Sequence, residues 1–201
     1  MALSPRFEHA LVYAAQIHAG QLRKGTPIPY LSHLLAVTAI ALEHGATEDE
    51  AIAALLHDAV EDAGGKARLA DLEIRFGKRV AGIVAGCTDT DQTPKPPWAE
   101  RKKAHVAHLR RASASVKLVA AADKLHNTRA ILSDYRTLGD ALWSRFKGGK
   151  AGTLWYFSAM ARTFTGPRLS RLVYDLDAAV TELEKLANGG KPVLQPPSIA
   201  K

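Results

Sequence analysis

The chain has 201 residues, 47% of them hydrophobic, a formal net charge of +7 and a single cysteine, Cys87. That length suits one well-buried core, and the lack of an uninterrupted apolar run of membrane length excludes a helical membrane span. One cysteine excludes an internal disulfide framework and fits a reducing cytoplasm, while the basic charge calls for an anionic partner without separating nucleic acid, phosphate ester and membrane surface.

The chain opens into amphipathic sequence, not into the apolar region of a signal peptide. Ser4-Pro5 predicts the start of a helix running to about His18. A loop rich in Gly, Pro and basic residues follows from Gly20 to Leu31. The next helix is expected from Ser32-His33 to before Gly45, a C-terminal glycine. Thr47-Glu48-Asp49-Glu50 reads as a capping box, opening a helix that carries His57 and Asp58 and ends at Gly64-Gly65. A short piece from Leu69 to Phe76 stops at Gly77, and another helix reaches Thr88. Asp89 to Pro97 form a proline-rich loop. Helices are then expected over Trp98–Ala112, Val116–Leu132, Leu138–Phe146, Thr153–Phe164 and Arg168–Ala187. The last of these presents Leu169, Leu172, Val173, Leu176 and Val180 as a packing face. With no repeat and no alternating strand pattern, the expected fold is all-α, with about eight to ten helices. One domain spans residues 1–187, and a mobile tail is expected over 188–201.

The chemistry concentrates in Leu55-Leu56-His57-Asp58-Ala59-Val60-Glu61-Asp62. On a continuous helix residues four apart share a face, so His57 with Glu61 and Asp58 with Asp62 are expected to stack as two pairs. These polar groups end the apolar segment Ala51–Leu56, where burying unpaired charges costs several kcal/mol each. A divalent metal removes that cost, because imidazole nitrogen and carboxylate oxygen are its usual ligands. Read alone, the His-Asp dipeptide equally describes a capped surface helix with an acidic end. Further ligand candidates are His33 and Asp123, the latter acidic within an apolar helical stretch. Capping or salt-bridge roles are open to both. Two nitrogens and at least two oxygens from three helices would leave room for water and substrate, and suit Mn²⁺ or Fe²⁺ as well as Zn²⁺.

These residues carry a family resemblance. Ala14-Ala15, His18, Arg23-Lys24-Gly25-Thr26-Pro27, Tyr30-Leu31-Ser32-His33, the Leu55–Asp62 segment, Phe76-Gly77, Thr88-Asp89 and Ala122-Asp123-Lys124-Leu125-His126-Asn127-Thr128-Arg129 occur in one order. In that order the chain resembles the HD-domain (p)ppGpp 3′-pyrophosphohydrolases, specifically the stand-alone small alarmone hydrolases. The resemblance implies that His33, His57, Asp58 and Asp123 ligate a metal, expected to be Mn²⁺, with Fe²⁺, Co²⁺ and Zn²⁺ as alternatives. It implies that Glu61 and Asp62 position or deprotonate the attacking water. Arg23, Lys24, Ser32, Asn127, Arg129 and Tyr156 match substrate-contacting positions. The implied reaction attacks the phosphorus on the ribose 3′ oxygen, releasing pyrophosphate and a nucleoside 5′-di- or triphosphate.

The sequence departs from the family at Ala59 and Ala63, where relatives often carry threonine, and at Ala130 and Ser133, which are small. There is no room for a synthetase domain, so alarmone synthesis is not expected. Guanine or adenine alarmones and NADPH are all admissible small-molecule substrates, and an HD-superfamily nucleotidase or NADPH phosphatase is the alternative activity. A nucleic-acid-binding regulator is disfavoured by the intact ligands and the intact Glu61-Asp62 pair, and the state expected is a monomer or homodimer. Arg101, Lys102 and Lys103 are candidates for offsetting charge on the terminal phosphates, against a solvated face. His105 and His108 are expected to be exposed, and His126 to serve packing.

Overall fold

The computed structural model describes residues 2–90 and 94–189. Among them the chain is all-α, with a lone antiparallel bridge, Leu22 to Pro29, pinning the Gly20–Leu31 loop. Part of the expected proline-rich loop and most of the expected mobile tail lie outside the described residues. No described helix is long and apolar enough to cross a membrane.

Helix α1 (Pro5–Ile17) starts where Ser4 accepts a hydrogen bond from the Arg6 amide and proline occupies the first turn. Helix α2 (Leu31–Glu43) ends before Gly45, which takes the left-handed conformation at φ 78°. Helix α3 (Glu48–Leu56) opens on the expected capping box, with Thr47 and Glu50 bonded reciprocally. A four-residue turn, α4 (Ala59–Asp62), follows. Gly64-Gly65 does not end a helix into a loop, as the sequence suggests. Two successive positive φ angles, 134° and 57°, turn the chain at once into α5 (Gly65–Phe76).

Helix α6 (Lys78–Cys87) and helix α7 (Trp98–Arg111) lie close to the expected bounds. Helix α8 (Ala114–Leu138) extends beyond the expected Val116–Leu132 at both ends. Residues 139–145 form a 3-10 helix where an α-helix is expected over Leu138–Phe146. Helix α9 (Gly149–Ala161), a 3-10 turn at Pro167–Leu169 and α10 (Ser170–Ala187) complete the described chain.

Helix α8 is the axis of the domain, with α2, α3, α6, α9 and α10 packed around it. Residues Leu118 to Asp123 are all buried, so the helix is enclosed on every side there. The six residues Ala51–Leu56 of α3 are each 0% exposed. On α10, Leu172, Leu176 and Val180 bury the expected packing face, and Leu169 joins them from the preceding turn.

That turn anchors α10 to α3. Arg168 donates to Glu50 Oε1 at 2.7 Å and Oε2 at 2.5 Å, and to the Gly45 carbonyl at 2.9 Å. Helices α6 and α8 meet at Gly86, where an added Cβ would lie 2.5 Å from Val116 Cγ2. Gly86→Ala is therefore expected to destabilise the fold by about 1–3 kcal/mol through overpacking. A thermal melt matching the parent would refute that close approach.

Candidate metal centre and active site

The centre is assembled from the start of α2, the α3–α4 junction and the middle of α8. His33 sits in the first turn of α2, His57 is the residue after α3, Asp58 precedes α4, and Asp123 lies within α8. Ligand atoms of His33, His57 and Asp58 lie within 4.8 Å of one another. His57 Nε2 is 3.0 Å and His33 Nε2 is 3.6 Å from Asp58 Oδ2. Asp123 Oδ1 closes a fourth side, 3.3 Å from His33 Nε2 and 3.7 Å from His57 Nε2.

One expectation fails here. The α-helix does not run on through His57, so His57 and Glu61 are not a pair on one continuous helix, whereas Asp58 and Asp62 still lie one turn apart, the Asp62 amide donating to the Asp58 carbonyl at 2.9 Å. The α-helix stops at Leu56, and Asp58 takes φ −97° and ψ −1° before α4 restarts. Across this break His57 Nε2 comes to 3.0 Å from Asp58 Oδ2, while Glu61 lines the same cavity and faces Lys95 and Arg101.

The four residues suit a divalent cation. His57 Nδ1 donates to the Ala54 carbonyl at 2.8 Å, which directs Nε2 into the cluster. Nε2 is buried there without a hydrogen-bond partner, an orphaned donor atom facing two carboxylates. Burial opposes charge on His57, Asp58 and Asp123, yet attraction prevails, between His57 and Asp58 and, for Asp123, from Lys124 first. Asp58 and Asp123 are held well below the usual carboxylate range and His57 well above the usual imidazole value. A site that stabilises positive charge so strongly between two carboxylates can hold a divalent metal with a mixed nitrogen and oxygen donor set.

Each of these residues has an orienting partner. Tyr30 donates to Asp58 Oδ2 at 2.5 Å. Asn127 donates to Asp123 Oδ1 at 2.5 Å, and Lys124 bonds Oδ2 at 2.5 Å. His33 Nδ1 lies 2.8 Å from His126 Nδ1. His126 is thus no mere packing residue, contrary to the sequence expectation. Burial pushes its imidazole down to about 4, so it is neutral and able to accept the His33 proton. The sequence signal for it is weak, because its partner is 93 positions away on another helix.

The acidic pair splits its partners. Asp62 accepts from Gln21 at 2.9 Å, and burial followed by the Asp58 charge raises its carboxyl above the usual range. Glu61 is bound by Lys95 at 2.9 Å, with Arg101 at 3.7 Å. Both line a cavity of about 200 Å³ that also takes in His57, Asp58, Asp123, Asn127 and Tyr156.

Arg101 and Lys102 both pair with Asp89, Lys102 at 2.6 Å, and Lys102 lines the cavity wall while Lys103 is exposed. His105 is buried at 4% exposure in the same wall, against expectation, because α7 lays that face on the core. His108 is exposed as expected. Cys87, Asp89 and Lys124 also line the cavity, though their residue types alone did not single them out. Arg23 donates to Asn127 Oδ1 at 3.0 Å, joining the Gly20–Leu31 loop to Asp123 through one amide. Lys24, Ser32 and Arg129 are exposed and do not line the cavity.

A family model described as "HD domain" matches residues 10–153, and the chain belongs to the HD-domain family. Among known relatives, the Xenopus tropicalis guanosine-3′,5′-bis(diphosphate) 3′-pyrophosphohydrolase MESH1 is 40% identical over 120 residues, 58% of this chain and 64% of that protein. The Drosophila melanogaster protein of the same name is 38% identical over 129 residues, 63% of this chain and 69% of the relative. The chain thus spans just under two thirds of the Xenopus relative's length. A solved structure titled as a metazoan orthologue of SpoT that hydrolyses ppGpp and plays a role in starvation responses matches with a TM-score of 0.75. The identity is 27%, over 91% of this chain and 98% of that one.

Proposed function

We propose that the chain is a metal-dependent 3′-pyrophosphohydrolase of alarmone nucleotides, converting ppGpp or pppGpp, and ppApp as a further substrate, to the nucleoside 5′-di- or triphosphate and pyrophosphate. The observation that carries this reading is the convergence of His33, His57, Asp58 and Asp123, the last three lining one cavity with the Glu61-Asp62 pair and with two lysines, Lys102 and Lys124. The names of the relatives supply the substrate class. The catalytic domain is assigned to residues 1–187 and the protein to the cytoplasm, in keeping with its one free cysteine.

The four residues would hold Mn²⁺, with Fe²⁺, Co²⁺ and Zn²⁺ as competitors for the same donors. When bound, such an ion makes water acidic near neutral pH and polarises a phosphoryl oxygen. Asp62, raised by burial, is suited to accept the proton from the attacking water, and Gln21 orients its carboxylate. Glu61 is committed to Lys95 and Arg101, so its role is to hold those cations where the terminal phosphates arrive. Arg23 offers a planar cation to a nucleobase, and Tyr156 closes the cavity beside Lys102 and Lys124. Lys24, Ser32 and Arg129 would reach the nucleotide only at the cavity rim.

The test is incubation of the purified protein and Mn²⁺ with ppGpp, ppApp and NADPH separately, the products resolved by ion exchange. GDP or ADP with pyrophosphate, abolished by EDTA, is the expected result. Orthophosphate released from NADPH alone would replace this reading with a phosphatase on the same site.

A further inference from the structure

Lys124 follows Asp123 directly, and its ammonium lies 2.5 Å from Asp123 Oδ2 at 14% side-chain exposure. Burial works against its charge, and the Asp123 carboxylate outweighs burial. Lys124 lines the cavity 5.7 Å from the Tyr156 ring, where Lys102 Nζ already sits at 4.8 Å. Lys102 titrates below the usual lysine range, first because of burial and then because of Lys124. Orientation of Asp123 does not require this second ammonium, since Asn127 already fixes Oδ1 at 2.5 Å. An alkyl side chain would fill the same wall without desolvating a charge. What lysine adds, and an alkyl group does not, is a positive charge on the outer oxygen of a carboxylate whose inner oxygen faces both imidazoles.

We propose that Lys124 is a positioning residue that sets the donor strength of Asp123 toward a divalent cation, weakening cation binding and leaving the bound ion a stronger polariser of phosphate. The inference rests on the metal-centre reading above. A fixed positive charge in a poorly screened site repels a second cation, and a carboxylate shared with an ammonium donates less charge to a metal. Cation affinity and turnover should therefore move in opposite directions when the charge is removed. A purely structural bridge predicts the reverse for affinity, because a disturbed Asp123 would hold the ion less well.

The experiment uses the full chain, stripped with chelator and titrated with Mn²⁺ by calorimetry, with free Mn²⁺ followed by electron paramagnetic resonance. Lys124→Met, Lys124→Gln and Lys124→Arg are compared with the parent, each verified as folded by circular dichroism. The neutral variants are expected to bind Mn²⁺ roughly tenfold more tightly and to show a lower kcat at saturating Mn²⁺, while Lys124→Arg stays near the parent in affinity. Folded Met and Gln variants with unchanged or weaker Mn²⁺ affinity would overturn the proposal, as would tightening in the Arg variant equal to that in Met. Failure of the metal-centre reading is separate and visible in the parent itself, as an absence of Mn²⁺ uptake that Asp123→Asn leaves unchanged.

Discussion

Asp123→Asn is expected to remove Mn²⁺ uptake and reduce ppGpp hydrolysis to background while leaving the fold intact. Asp123 Oδ1 stands between His33 and His57 at 3.3 and 3.7 Å, so it supplies the negative charge that draws a cation between two imidazoles. Asparagine keeps the shape and an acceptor for Asn127 but removes that charge. Asparagine also leaves the Lys124 ammonium without its carboxylate, so circular dichroism accompanies the binding measurement to show that the variant is folded. Asp62→Asn provides the contrast: Mn²⁺ binding persists and kcat falls about 100-fold or more, as loss of a general base requires. Glu61→Gln should raise KM more than it lowers kcat, since Glu61 holds Lys95 and Arg101. Calorimetry and steady-state kinetics on the three variants separate the roles. Full turnover by chelator-treated Asp123→Asn protein would remove the site from consideration.

The second large effect is on stability and lies far from the centre. Glu50 is 0% exposed and lies in the fork of Arg168. Burial alone would raise its carboxyl, but the bonds from Arg168 and Thr47 prevail and hold it at about 2, against an ordinary 4.5. Arg168→Ala leaves that carboxylate buried with only the Thr47 and Ser115 contacts. A loss of about 3 kcal/mol is expected, or roughly 6–12 °C in Tm for a chain of this size. The sign with pH follows from the depressed value. The stabilisation is fully present above pH 4.5 and is lost as pH falls through 2, where Glu50 is protonated. Urea denaturation at neutral pH and near pH 2.5 should show the gap between parent and variant shrinking in acid. A gap independent of pH would mean that the Glu50 charge is not what Arg168 stabilises.

Local chemistry made much of the fold legible in the sequence. The Ser4-Pro5 start, the Thr47–Glu50 capping box and Gly45 each act within one turn of chain, and each appears where expected. For His33, His57, Asp58 and Asp123 the residues alone offered candidates, because charged groups in apolar stretches need a partner, and the family resemblance completed the quartet. What was hidden depends on other elements. The break at His57–Asp58 falls on two residues of low helix propensity, with no Gly or Pro to announce it. His126 sits three positions from Asp123, but its partner arrives from α2. The extra length of α8 falls on Ala114-Ser115 and Ser133–Leu138, mostly exposed residues with no apolar pattern to announce them, and the helix runs until Ser113 caps one end and Gly139, at φ 56°, the other. His105 looked like a surface histidine because α7 is rich in charge, yet it is on the face laid against the core.

The bond from Arg23 to Asn127, and from Asn127 to Asp123, has a consequence for how this protein can change. The same amide side chain braces the loop at the mouth and the carboxylate at the centre. A substitution at Arg23 made to accommodate a different base frees the Asn127 oxygen, and the Asn127 amide can then rotate away from Asp123. Effects at positions 23 and 127 will therefore not add. If Arg23 meets the base as proposed, recognition can be changed without loss of rate only by exchanging both residues together.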